Sequence, residues 1–261
     1  MLDLSPSRVF TIARNAFREA VRDRILYNLI IFVLLITVAA IFLGELTAGQ
    51  EARVIVNLGL SATLIFGTFI SIFVGVSLVW KEIEKKTVYS IFSKPVGRGE
   101  FIVGKYLGLC ATLFANLAVM GAGVTLALVY VGGSSLIAGA WAAILLIFLE
   151  LTIITGVAIV FSSFSTPALS ALLTFFVFII GHFSSSLLDL STSVGSRSAV
   201  AFFTAVYYLL PNLSHFSFIP ETANGLVPPA FMVGGATLYA VIYDAILMTA
   251  AVLIFSRRNF K

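Results

Sequence analysis

Six long apolar runs alternate with short polar segments along this 261-residue chain. A membrane-spanning helix needs about 20 predominantly apolar residues to cross a hydrocarbon core of about 30 Å, and the runs have about this length. The pattern predicts six transmembrane helices, near residues 26–43, 54–80, 102–131, 137–161, 168–188 and 231–255. We therefore predict an all-α integral membrane protein in which residues 1–261 form a single transmembrane domain.

The residues before the first run have the pattern of an amphipathic helix over residues 5–24. Ser5-Pro6 supplies an N-cap followed by proline at the first helical position. The apolar face comprises Val9, Phe10, Ala13, Ala16, Phe17, Ala20 and Val21, and the polar face comprises Arg8, Arg14, Arg18, Glu19, Arg22 and Asp23. Such a helix is typical of the headgroup plane of a membrane, although the same pattern also suits a helix packed on a partner.

Composition supports a membrane location, and the charge distribution gives an orientation. Charged residues make up 11% of the chain, whereas soluble domains carry about 25%. Fourteen of the 16 Lys and Arg residues precede the first run, separate the second run from the third, or follow the last. Such residues accumulate in cytoplasmic segments, so we predict a cell-membrane protein with both termini cytoplasmic. Because the cations lie at span ends, we interpret them as topology signals at the lipid bilayer and expect no nucleic-acid partner.

Residues 189–230 are predicted to form an outer-face segment. Their apolar stretch, 199–210, ends at Pro211 and is too short for a span. A seventh span would also place the C-terminal cations outside the cell, against the charge rule. We predict an interfacial or re-entrant helix here, and we give little weight to the glycosylation triplet Asn212-Leu213-Ser214.

A charge-dense connector, residues 81–100, lies between the second and third predicted spans. Apolar residues recur there at helical spacing, at Ile83, Thr87, Val88, Ile91 and Phe92. Pro95, Gly97 and Gly99 follow, which predicts a short cytoplasmic helix and then a tight turn back to the membrane.

The segment from Gly99 to Lys105 is close to a phosphate-binding loop. That loop needs Ser or Thr after the lysine to hold Mg²⁺, and Tyr106 stands there instead. We therefore expect no ATP binding by this chain, and we expect Lys105 to lie at the headgroups at the start of the third span.

The connector resembles a signature of known transporters. Glu84-x-x-Thr87, then Ile91-Phe92-Ser93-Lys94-Pro95-Val96-Gly97-Arg98 and Gly104-Lys105, is similar to the segment after the second span of ABC-2 type permeases. Lys86 departs from the pattern, since many members have glycine before the threonine. The order of interfacial helix, six spans and outer segment is also similar, and permeases of nitrous-oxide-reductase maturation and of gliding look like close relatives.

This resemblance implies the permease subunit of an exporter, without enzymatic activity or a cofactor of its own. A separate cytoplasmic ATP-binding cassette subunit would bind ATP and Mg²⁺, and a second permease copy, identical or paralogous, would complete the path. The connector would act as a coupling helix on the ATP-binding subunit. The residues implied at or near that contact are Glu82, Glu84, Thr87, Ile91, Pro95 and Arg98.

The second predicted span carries one small residue at every fourth position. The residues of this stripe are Gly59, Thr63, Gly67, Ser71 and Gly75. Small residues let helices approach closely in lipid. The stripe fits a seam between two permease copies and packing within one chain equally well.

Two acidic residues, Glu150 and Asp244, fall near the middle of the fourth and sixth predicted spans. A charged carboxyl at this depth costs about 2.5–3.5 kcal/mol, so each must be neutral, paired or in contact with water. One interpretation is a polar contact between helices. The other is a proton- or cation-responsive element, which makes an ion-coupled secondary transporter the alternative function. We expect no basic partner at their depth within one subunit.

No metal site or catalytic group is expected. The chain has two histidines, His182 and His215, and one cysteine, Cys110, without the spacing of metal ligands. A hydroxyl cluster at residues 162–165 has no base beside it in sequence. A membrane enzyme or a scaffold with a large soluble domain is therefore disfavoured.

Overall fold

The described part of the chain is built from helices joined by short turns. The computed structural model describes residues 5–22, 24–47, 49–84, 97–184 and 197–257, and no strand occurs within them. The helices are α1 (Pro6–Val21), α2 (Arg24–Glu45), α3 (Glu51–Glu84), α4 (Arg98–Tyr130), α5 (Ile137–Ser162), α6 (Pro167–His182), α7 (Arg197–Leu209), α8 (Ile219–Ala223) and α9 (Ala230–Arg257), with 3-10 turns at Ser134–Leu136 and Leu213–Phe216.

Four helical segments are long and apolar enough to cross a membrane. They are Glu51–Ser77, Arg98–Tyr130, Ser134–Ser162 and Ala230–Arg257. Shorter apolar helical segments, Leu29–Glu45, Pro167–His182 and Val200–Leu209, accompany them. The chain is therefore an all-helical, multi-pass membrane protein in the part that the structure describes.

Helix α6 is shorter than the span predicted from the sequence. It ends at His182, after 16 residues, whereas the apolar run predicted a span through residue 188. At 1.5 Å per residue the helix is about 24 Å long. In its last turn Gly181 packs closely against the turn that follows α7. A Cβ at Gly181 would lie 2.7 Å from the Pro211 carbonyl oxygen.

Helices α3 and α5 form the centre of the bundle. Helix α3 packs against α2, α4 and α5, and α5 also packs against α4, α6 and α9. In α5, 72% of the most apolar window is buried, against 28% in α9. Helix α9 therefore presents most of its apolar surface outward, as a helix in contact with lipid does.

The stripe of small residues on α3 is buried against α4 and α5 of the same chain. A Cβ added at Gly67 would lie 2.5 Å from Leu151 Cδ1, and one at Gly59 would lie 2.8 Å from Val124 Cγ2. The hydroxyl of Ser71 approaches the Leu151 carbonyl to 3.5 Å. Thr63 and Gly75 are buried on the same face. Of the two interpretations, packing within the chain is the one that these contacts show.

Asn212 anchors the segment between α6 and α9. Its Oδ1 accepts hydrogen bonds from Ser184 Oγ at 2.5 Å and from Ser214 Oγ at 2.6 Å. Its backbone N–H donates to the Tyr239 hydroxyl at 2.9 Å. Because Asn212 is only 9% exposed, the glycosylation triplet lies in a packed turn and its asparagine serves as a structural cap.

Different segments of the chain lie at the two ends of the bundle. Helix α1, the start of α4 and the end of α9 lie together at one end. At the other end the turns at 49–53, 131–136 and 223–225 line a shallow pocket of about 340 Å³. The connector leaves α3 at Glu84 and enters α4 near Arg98, and its residues 85–96 lie outside the described residues.

Candidate functional site

The residues implied in coupling lie at the two ends of the connector. Glu82 and Glu84 belong to the last turn of α3, which continues past the predicted span end at residue 80. Thr87, Ile91 and Pro95 fall outside the described residues, so the connector helix stays a prediction. Arg98 is the first residue of α4.

Arg98 joins the start of α4 to the end of α9. Its Nη1 donates a hydrogen bond to the backbone carbonyl of Ser256. The last carbonyls of a helix lack intrahelical donors, and the helix dipole also favours a cation there. Phe101 and Phe255 stack beside this contact, with ring centroids 5.9 Å apart. Arg98 therefore has a role within the chain, whatever else it contacts.

Glu100 fastens α1 to the start of α4. Its carboxylate is 1% exposed and accepts backbone N–H groups from Ser5 and from Gly97, each at 2.8 Å. The guanidinium of Arg8 lies 3.7 Å away. A buried charge is tolerated when it is paired and hydrogen bonded, and this carboxylate has both kinds of partner. The bond to Gly97 is the carboxylate half of a capping box at the start of α4, because a glycine N-cap has no side chain to complete it.

Two glycines of α4 bring its backbone close to α1. A Cβ at Gly104 would lie 2.7 Å from the Ile12 side chain, and one at Gly108 would lie 2.5 Å from the Ala13 carbonyl oxygen. Ala16 of α1 is buried beside Gly108. Part of the apolar face of α1 is therefore covered by α4 of the same chain.

Lys105 lies inside this contact between α1 and α4. Its Nζ is 3.4 Å from Glu19 Oε2 and 5.7 Å from the centroid of the Phe101 ring. Helix α1 covers this turn of α4 and leaves the lysine 5% exposed. That Lys105 lies at the depth of the headgroups stays a prediction. Glu19 supplies the opposite charge that a buried lysine requires.

Glu150 contacts a histidine in the interior of the bundle. His182 Nδ1 lies 3.2 Å from Glu150 Oε1, and Glu150 is almost fully buried. Neither atom has another hydrogen-bond partner among the described residues. The expectation of no basic partner is wrong, because α6 packs against α5 and ends with His182 beside the middle of that helix. The pair is ionic when the imidazole is protonated.

Asp244 of α9 contacts α5 on a different face from the one that carries Glu150. Thr152 Oγ1 donates a hydrogen bond to Asp244 Oδ2 at 2.9 Å. The other oxygen, Oδ1, is buried without a well-aligned hydrogen bond to any described residue, and Tyr106 and Cys110 of α4 interact with the carboxyl electrostatically. This is a polar contact between helices, of the kind that one of the two interpretations proposed.

Three of these residues were missed by the sequence analysis. Glu100 had a signal, because Gly97-x-x-Glu100 has the spacing of a capping box. His182 had none, because its contact depends on where α6 ends relative to α5. Thr152 follows Glu150 by two positions and so faces a different neighbour of α5. Among the residues that the structure describes, no three His, Cys, Asp or Glu side chains are grouped as metal ligands.

Comparison with known proteins supports a transporter relationship over part of the chain. No family model matches the sequence. The probable ABC transporter permease protein NosY of Pseudomonas aeruginosa is 28% identical over 104 residues, which is 38% of this chain and 38% of that protein. The match spans well under half of either protein. The chain is thus an all-helical membrane protein with a stretch that is similar to an ABC transporter permease.

Proposed function

We propose that this chain is the permease subunit of an ABC-2 type exporter, driven by a separate ATP-binding cassette subunit. The observation that supports this most is the arrangement at the connector end of the bundle. There Glu100 ties α4 to α1, and Arg98 ties α4 to α9. A displacement of the connector would therefore reach α1, α3, α4 and α9 together. The stretch similar to NosY gives independent support.

In this proposal the ATP-binding subunit docks on residues 81–100 at the cytoplasmic side. ATP and Mg²⁺ bind to that subunit, and its closure moves the connector. The motion passes directly to α3 and α4, and from the buried face of α3 to α5. Two permease copies enclose the path, which opens outward when their bundles move apart.

Co-purification with a candidate ATP-binding cassette subunit from the same organism tests the proposal. The informative variant is Glu84→Arg, and the matched control is Glu45→Arg, an exposed glutamate at the end of α2. We expect the wild type and Glu45→Arg to retain the ATP-binding protein in mild detergent, and Glu84→Arg to release it. Arg98 is unsuitable for this test because its substitution would also break the contact with Ser256. Failure of the wild type to retain the ATP-binding protein in any mild detergent contradicts the proposal.

Two carboxyls within the bundle helices favour a second candidate, an ion-coupled secondary transporter. Glu150 contacts an ionisable imidazole, and Asp244 keeps one buried oxygen without a well-aligned donor. Proteoliposomes with an imposed proton gradient separate the two candidates. Faster collapse of the gradient than in empty liposomes, lost in Glu150→Gln or Asp244→Asn, supports the carrier. An unchanged gradient, together with ATP hydrolysis stimulated by the permease, supports the exporter.

A further inference from the structure

An apolar groove runs between α1 and α4 on the outside of the bundle. Phe10 and Phe17 line it from α1, and Leu107 and Ala111 line it from α4. Its volume is about 690 Å³, within the range of about 300–1,000 Å³ that is typical of small-molecule sites. Of the described residues that line it, only Arg14 is charged.

The groove exists because the two helices approach closely along one line only. Gly108 brings the backbones together, with the Ala13 carbonyl oxygen 2.5 Å from the position of a Cβ. Beside that line, residues 103, 107 and 111 form one row on α4, since positions four apart share a face. Phe10 stands on the opposite wall with 70% of its surface exposed. The trough between these rows is filled by no described side chain.

Arg14 distinguishes this groove from an ordinary lipid-facing crevice. Arg8 contacts Glu100, whereas Arg14 makes no hydrogen bond or ion pair with any described residue. Arg18 follows one helical turn later and adds positive charge on the exposed side of α1. An apolar trough with an unpaired guanidinium at its edge matches a ligand that has a hydrocarbon chain and an anionic head.

We propose that this groove binds one anionic phospholipid, with an acyl chain against Leu107 and Ala111 and its phosphate on Arg14. A guanidinium binds phosphate through two parallel hydrogen bonds, and basic sites between membrane helices hold anionic headgroups. The lipid covers Phe10 and completes the contact between α1 and α4. This proposal does not rest on the transport function, because it concerns a site of the isolated chain.

Native mass spectrometry of the delipidated protein tests the site. The protein is incubated with equal amounts of phosphatidylglycerol and phosphatidylcholine that carry the same acyl chains. We expect one phosphatidylglycerol to be retained in preference to phosphatidylcholine. Arg14→Gln should reduce this preference about tenfold, the factor that corresponds to 1.4 kcal/mol, whereas Arg22→Gln, which changes the charge outside the groove, should preserve it. Ala111→Trp should reduce retention of both lipids, whereas Ala39→Trp, at an exposed position on α2, should not.

Several outcomes would overturn the proposal. The wild type would show no preference for phosphatidylglycerol, or Arg14→Gln and Arg22→Gln would reduce it equally, which indicates attraction to α1 as a whole. Retention by Ala111→Trp at the wild-type level would show that the acyl chain lies elsewhere. A thermal-unfolding control in detergent confirms that each variant is folded before its lipid binding is compared.

Discussion

Replacing Glu100 by alanine should release α1 while the rest of the bundle stays folded. The carboxylate accepts the Ser5 and Gly97 N–H groups at 2.8 Å and is nearly inaccessible to solvent. A hydrogen bond to a charged group contributes about 1.5–3 kcal/mol. Of the two bonds, only the one to Ser5 joins α1 to α4. We therefore expect the docking of α1 to weaken by about 2 kcal/mol, or about 30-fold in its opening equilibrium.

Hydrogen–deuterium exchange in lipid nanodiscs measures this opening segment by segment. Peptides from α1 should exchange about 30-fold faster in Glu100→Ala than in the wild type, while peptides from α5 should be unchanged. Asn15→Ala is the matched control, because Asn15 is an exposed residue of α1. Surface substitutions change stability by about 0.5 kcal/mol at most, so exchange of α1 should change by about twofold or less in that control.

Three results would contradict a local fastening role for Glu100. Exchange of α1 at the wild-type rate in Glu100→Ala would show that its hydrogen bonds do not hold the helix. Faster exchange throughout the chain would show that Glu100 supports the whole bundle and does not act as a local fastening. Equal effects of Glu100→Ala and Asn15→Ala would show that α1 responds to any substitution and that the buried carboxylate has no special role.

Three further predictions concern the packing of the bundle. Gly67→Val should destabilise the protein by about 1–3 kcal/mol, because a Cβ there would lie 2.5 Å from a methyl carbon of Leu151. Gly234→Val is the control and should not destabilise it, because no atom lies within 4 Å of that Cβ position. Equal melting temperatures of the two variants in detergent would contradict this prediction. Glu150→Leu should lower the stability of the protein more when made alone than when combined with His182→Leu, because the single change leaves the imidazole without its partner. A double-mutant cycle that gives a coupling energy below about 0.5 kcal/mol would show that the two side chains do not interact. Asn212→Ala should destabilise the segment between α6 and α9 by about 1 kcal/mol or more, because it removes the N-cap of the 3-10 turn and the hydrogen bond from Ser184. We expect faster proteolysis of this segment in the variant, and an unchanged rate would contradict the prediction.

The apolar runs predict where the helices lie along the chain. They do not predict where each helix ends, because the ends depend on contacts with residues outside the run. The run 137–161 lies within α5, because apolar length is a local property. Helix α3 continues to Glu84, and α6 ends at His182 where the next segment packs on Gly181. Helix ends depend on which partner satisfies the last backbone groups, and that partner is distant in sequence.

The same distinction applies to the candidate site. The sequence identified Glu150 and Asp244 as carboxyls within predicted spans, because an acidic residue inside an apolar run is visible locally. Their partners, His182 and Thr152, depend on the rotation and axial position of three helices relative to one another. The stripe of small residues on α3 predicted a close contact with another helix, but small residues alone do not indicate which helix packs there.

The fastening of α1 also has a consequence for the order in which the chain assembles. Ser5 and Glu100 are 95 residues apart. A ribosome adds about 5–20 residues per second, so α1 waits about 5–20 s before its acceptor has been synthesised. During that interval it has no α4 to cover Ala16, and we expect its arginines to hold it at the membrane surface. Helix α1 is therefore synthesised well before it can reach its final contacts.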